Sequence, residues 1–103
     1  MGETTHWPPT VEMLRARREE ILRLAARYGV SNVRVVGSVA RGEAGLGSDV
    51  DLLVTVPPAC TVFDLVGLWL DVQELLGCPV SLIPDNASDE AFLREVQRDA
   101  ICV

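Results

Sequence analysis

Val35-Val36-Gly37-Ser38-Val39-Ala40-Arg41-Gly42-Glu43-Ala44-Gly45-Leu46-Gly47-Ser48-Asp49-Val50-Asp51-Leu52-Leu53-Val54 is the stretch from which the rest of the chain is read. The β-branched run Val33-Arg34-Val35-Val36 ends in Gly37-Ser38, Val39-Ala40-Arg41 begins a short helix, and Gly42 to Gly47 is glycine-rich. Ser48-Asp49 then opens a second strand, Val50 to Val56, whose apolar density suits a strand covered on both faces. Gly37 and Gly42 have the spacing of a P-loop, but Glu43-Ala44 stands where Lys and Ser or Thr are required, and an anion there repels phosphate. Gly45-Leu46-Gly47 fails as a dinucleotide fingerprint, because Val50 replaces its third glycine and a strand follows instead of a helix.

What remains is a strand, a Gly-Ser turn into a helix start, and two carboxylates at the head of the next strand. Gly37 permits close backbone approach, the helix start offers free N–H groups to a phosphate, and Ser38 adds a hydroxyl donor. Taken alone, Gly37-Ser38 is a turn with an N-cap, Asp49 a turn carboxylate and Asp51 a solvent-facing strand residue. Taken together they say more. Asp49 and Asp51, two residues apart on a strand, project to one face. Like charges about 4 Å apart at an effective dielectric of about 20 repel by about 4 kcal/mol, so such a pair neutralises one member or holds a cation. Oxygen-only ligands select Mg²⁺ or Mn²⁺ over zinc.

The stretch resembles the nucleotidyltransferase superfamily of DNA polymerase beta type, whose signature is a G-S turn followed about ten residues later by D-x-D; its short form is similar to the minimal nucleotidyltransferase domains of prokaryotes, over nearly the whole chain. The resemblance implies an α/β (α+β) fold, a small mixed β-sheet with helices packed against it. It implies ATP or another NTP held by Gly37 and Ser38, with Arg41 and Ser48 as further nucleotide contacts, and Mg²⁺ or Mn²⁺ held by Asp49 and Asp51, the catalytic carboxylates. The reaction implied is transfer of a nucleoside monophosphate, AMP from ATP, with release of pyrophosphate. Minimal domains of this kind resemble one half of a toxin and antitoxin pair whose other half is a HEPN ribonuclease, and the acceptor is then a tyrosine of that HEPN-type partner. One departure stands out: the family's third carboxylate sits between apolar residues in the strand after the long helix, and in Val80-Ser81-Leu82 that place belongs to Ser81. Asp85, beyond Pro84, has no evident path back to the site. Two readings follow, an active transferase and a weakened or inactive subunit that neutralises its partner by binding alone.

Around this centre, residues 1–9 read as a flexible leader and residues 10–103 as one domain. Thr10 caps an amphipathic helix from Val11 to Tyr28, with apolar Leu14, Ile21, Leu22, Ala25 and Tyr28 on one face and Gly29 as its stop. Its arginine-rich opposite face reads as solvated, with Arg15/Glu19 and Glu19/Arg23 spaced to pair. Thr61 and Asp64 form a capping box for a helix running to Leu76, with Gly77 as stop; this helix is too apolar for one sheet face to cover, which fits a partner or a second copy of the chain. Pro79 to Ile83 is a third strand, Ser88-Asp89-Glu90 starts a last helix to about Asp99, and Ile101-Cys102-Val103 adds a short strand.

Length and composition set the outer bounds. With 103 residues, 49% of them hydrophobic, the chain builds one cored domain. All nine basic residues are Arg and the net charge is −6, which disfavours nucleic acid as a partner and, with no template-binding domain in view, a polymerase or RNA-modifying role. The longest uncharged run, Leu52 to Phe63, is 12 residues and contains Pro57-Pro58, far short of the roughly 20 needed to span a bilayer. The start carries no apolar signal segment, and His6 stands where a myristoylation motif needs Ser or Thr, so the reading is cytoplasmic with no membrane partner. Cys60, Cys78 and Cys102 are widely spaced and odd in number, and read as reduced small hydrophobes in or near the core.

Overall fold

The chain alternates short helices and strands: α1 (Val11–Ala16), α2 (Arg18–Arg27), β1 (Ser31–Val36), α3 (Gly37–Arg41), β2 (Val50–Thr55), α4 (Val62–Leu76), β3 (Val80–Pro84), α5 (Glu90–Arg98) and β4 (Ile101–Cys102). The computed structural model describes residues 8–87 and 89–103. The strands form one four-stranded mixed sheet in the order β3-β2-β1-β4, with β2 parallel to β3 and β1 antiparallel to both β2 and β4. The expected small mixed sheet with packed helices is therefore the fold.

β2 is central and covered on both sides, as its composition requires. Val50, Leu52 and Val54 join Val35, Leu14, Ile21, Ala25, Leu68 and Val72 in the larger core, beneath α1, α2 and α4. On the opposite face Leu53 and Val36 meet Leu93 of α5, with Ile83, Val96 and Ala100 around them. Because side chains alternate along a strand, Asp51 shares the α5 face with Leu53, and its register partner Ser81 shares that face with Ile83.

The helix expected from Val11 to Tyr28 is two helices. Thr10 caps the first as expected, its hydroxyl accepting from the Met13 N–H at 3.0 Å, but Arg17 leaves the helical region, with φ −111° and ψ 20°. The break separates Arg15 from Glu19, and the expected i,i+4 pairs give way to Arg17–Glu20 at 2.6 Å. Arg15 and Arg18 instead donate to the carbonyls of Cys102 and Val103, at 3.2 and 2.8 Å, so part of the face read as solvated clamps the last strand. α4 forms as expected, with both halves of the Thr61/Asp64 capping box and a left-handed Gly77. β1 starts earlier than expected because a bulge, with Asn32 at φ 54°, lets Ser31 pair with Thr55.

The cysteines are free thiols: Cys60 and Cys78 pack half-buried against the core, and Cys102 is exposed on β4. Residues 1–7, most of the expected leader with His6, lie outside the described residues, as does Ser88 at the start of the last helix. Among the described residues no helix is long and apolar enough to cross a membrane.

Candidate active site

The site grows from the end of β1. Val36 is extended, and Gly37 turns the chain with φ +73°, a conformation that disfavours any side chain. A second constraint acts at the same residue: a Cβ on Gly37 would lie 2.5 Å from Oδ2 of Asp51. The absent side chain is the space into which the Asp51 carboxylate fits. α3 follows, pinned by buried Val39 and closed by left-handed Gly42, with the Glu43 N–H donating to the Ser38 carbonyl at 2.8 Å. Five residues give little macrodipole, so what α3 offers an anion is its first free N–H groups and the half-buried Ser38 hydroxyl.

The glycine-rich turn then delivers the acids. Gly45 N–H donates to Ser48 Oγ at 2.9 Å and Ser48 N–H to the Gly45 carbonyl at 3.1 Å, so Ser48, expected at the nucleotide, spends its side chain on holding the turn. Asp49 stands exposed just before β2, one residue short of the strand that was to carry it, and Asp51 is half-buried on β2. Burial, and after it the charge of Asp49, raises the Asp51 pKa; the neighbouring Ser81 hydroxyl and the charge of Arg41 work the other way. Asp49, Asp51, Ser81 and Arg41 therefore share one electrostatic neighbourhood beside Gly37.

Arg41 reaches that neighbourhood already engaged. Its guanidinium pairs with Glu43 at 2.9 Å and Asp99 at 3.3 Å, on an open surface where such pairs are weak and exchangeable. Nothing in the sequence linked Asp99 to Arg41; the link exists because α5 folds over the sheet and ends beside α3. Glu43, two residues from Arg41, was open to being read as its partner. Asp85 is absent from the site, as expected: its Oδ2 accepts from Arg34 at 3.0 Å and from the Thr55 hydroxyl at 2.6 Å, far along the same sheet face. A 370 Å³ cleft between α1 and α3 touches Arg41 but none of Gly37, Ser38, Asp49 or Asp51.

The donor set suits a hard divalent cation in part. Two carboxylates and a serine hydroxyl are all oxygen, and burial in the slot beside Gly37 disfavours the charged form of Asp51. No cluster of three or more His, Cys, Asp or Glu side chains suited to a metal occurs among the described residues.

Comparison with known proteins agrees with this geometry. The model of the nucleotidyltransferase domain family matches residues 17–101. The protein adenylyltransferase MntA of Thermococcus cleftensis is 32% identical over 91 residues, covering 88% of this chain and 89% of its own. A candidate protein adenylyltransferase of Methanocaldococcus jannaschii is 28% identical over 86 residues, 84% of this chain and 92% of its own. The solved structure of a candidate minimal nucleotidyltransferase superposes with a TM-score of 0.81 at 44% identity, over 91% of this chain and 96% of its own. With the Gly-Ser turn, the acid pair and the mixed sheet all in place, the chain belongs to the nucleotidyltransferase domain family, among its minimal members.

Proposed function

We propose that the chain is a protein adenylyltransferase: it moves AMP from ATP onto a tyrosine hydroxyl of a HEPN-type partner in the cytoplasm and thereby acts as that partner's antitoxin. The carrying observation is the fit of the Asp51 carboxylate into the space left by Gly37, which brings this acid against the Gly-Ser turn. The kinship with an archaeal protein adenylyltransferase supports protein as the acceptor.

In this reading the N–H groups after Gly37 and the Ser38 hydroxyl hold phosphate oxygens. Arg41 exchanges one of its two carboxylate partners for the triphosphate, and Ser48 keeps the turn that presents Asp49. Asp49 and Asp51 would hold a divalent cation, Mg²⁺ or Mn²⁺, which would supply the positive charge that the triphosphate and its transition state require. The acceptor oxygen bonds to the α-phosphorus, the bond from that phosphorus to the bridging oxygen breaks, pyrophosphate departs and the acceptor proton passes to water.

A second reading rests on Ser81. A neutral hydroxyl at the position paired with Asp51 is neither an anionic ligand nor a base, which favours a subunit that binds its partner without modifying it. Intact-mass spectrometry of the partner after co-expression separates the two. A nucleotide adduct that disappears with Asp51→Asn and increases with Ser81→Asp supports transfer; an unmodified but neutralised partner with the wild-type chain overturns it in favour of binding.

A further inference from the structure

We propose that the outer face of α4 is the contact surface of a two-fold dimer of this chain, in which two α4 helices cross antiparallel. α4 buries Leu68 and Val72 against the sheet and turns a continuous apolar stripe away from it: Val62 is 73% exposed, Phe63 88%, Val66 44%, Trp69 38% and Leu70 52%. These positions recur at i, i+3/i+4 and i+7/i+8, the spacing of one helix face. With about 200 Å² for a fully open large side chain, the stripe exposes on the order of 500 Å². With a polar rim this approaches the roughly 800 Å² that each partner contributes to a stable interface.

Both sheet edges are partly engaged by the chain's own groups. On β3 the Val80 N–H donates to Gln73 Oε1 at 3.0 Å, the Val80 carbonyl accepts from Trp69 Nε1, and Pro84 has no N–H. On the opposite edge Arg15 and Arg18 occupy the carbonyls of Cys102 and Val103. Five of the seven large apolar side chains exposed among the described residues lie on this one helix face, whose width is that of a second helix.

Charge sets the direction. α4 carries no basic residue, and two of its three acids are engaged: Asp64 in its capping box and Asp71 as acceptor of the Tyr28 hydroxyl at 2.7 Å. Only Glu74 borders the stripe. A parallel pair would set Glu74 against Glu74 of the second copy. An antiparallel pair centred between Val66 and Gly67 sets Phe63 against Leu70 of the second copy, Val66 near its counterpart, and Glu74 beside the positive N-terminal end of the other α4. The stripe is complementary to itself in that one arrangement. Asp51 and Ser81 lie on the opposite face of the sheet, so the dimer leaves the nucleotide site open.

The test is sedimentation equilibrium of the purified full chain from micromolar to hundreds of micromolar concentration, with circular dichroism as a check of folding. The wild type is expected at twice 11.2 kDa. Phe63→Glu and Leu70→Arg are each expected to weaken association by about a hundredfold. Together in one chain they are expected to restore it, because each introduced carboxylate meets the other copy's introduced guanidinium. If a charged variant fails to fold, the milder Phe63→Ser replaces it, with the same loss of association expected. A wild type that stays at 11.2 kDa throughout overturns the proposal and leaves the face to a different protein. Single variants that remain dimeric overturn it by placing the interface elsewhere, and a double variant that stays monomeric overturns the antiparallel register.

Discussion

Asp51 is the residue at which stability and function pull apart. Its pKa is raised in the folded chain, first by burial and then by Asp49, so protonated Asp51 favours folding. The resulting stabilisation is complete below its ordinary pKa and is lost as pH rises through the raised value. At neutral pH the ionised carboxylate therefore strains the metal-free fold. Asp51→Asn is expected to raise the melting temperature at pH 7 without ligand, with an advantage over wild type that shrinks as the pH falls below the carboxylate range. The same variant is expected to lose the stabilisation by ATP and Mg²⁺ that the wild type gains, about 2.7 kcal/mol at a hundred times the dissociation constant. Differential scanning fluorimetry across pH, with and without nucleotide and metal, reads both effects, and an equal ligand-induced shift in the two proteins would contradict the site.

At the scale of elements, the packing of α2 on α4 turns on one absent side chain. Gly67 sits mid-helix, where glycine costs about 1 kcal/mol relative to alanine, yet a Cβ there would lie 2.7 Å from the Tyr28 ring. The ring cannot swing away freely because its hydroxyl donates to Asp71, one helical turn from Gly67. Gly67→Ala is expected to destabilise the wild type by about 1 kcal/mol or more, and to stabilise a Tyr28→Ala background by about the same amount, where helix propensity acts alone. Urea denaturation of the four proteins of this cycle measures the sign change.

The whole molecule has two cores of unequal size, and its stability is divided accordingly. Leu52, 1% exposed, lies at the centre of the large one, whereas Leu93 at 9% holds α5 in the small one. Leu52→Ala is expected to cost about 3 kcal/mol, a large share of the roughly 5–10 kcal/mol available to a domain of this size. Leu93→Ala is expected to cost about 2 kcal/mol and to act locally, raising amide exchange in α5 while the sheet stays protected. Because Asp99 caps the C-terminal end of α5, loosening of the helix also frees Arg41 from one of its two partners. Denaturant unfolding with native-state hydrogen exchange distinguishes the global loss from the local one.

Most of the fold was legible because its signals are local. Val50 to Val56 reads as a doubly covered strand from its own composition, one residue longer than β2, Thr61 with Asp64 announces the start of α4, and Gly77 its end. Gly37-Ser38 and Asp49-x-Asp51 likewise stand in the sequence as a phosphate turn and an acid pair, each carried by backbone preferences within a few residues. The break at Arg17 was not legible: no glycine or proline marks it, and Arg15 and Arg18 find their acceptors on β4, at the far end of the chain. Tertiary structure alone likewise set Asp99 beside Arg41, sent Asp85 to Arg34, and made Gly37 the space for Asp51. The sequence determines what short-range sterics and periodicity decide, and the packing of elements across the sheet decides which charges meet.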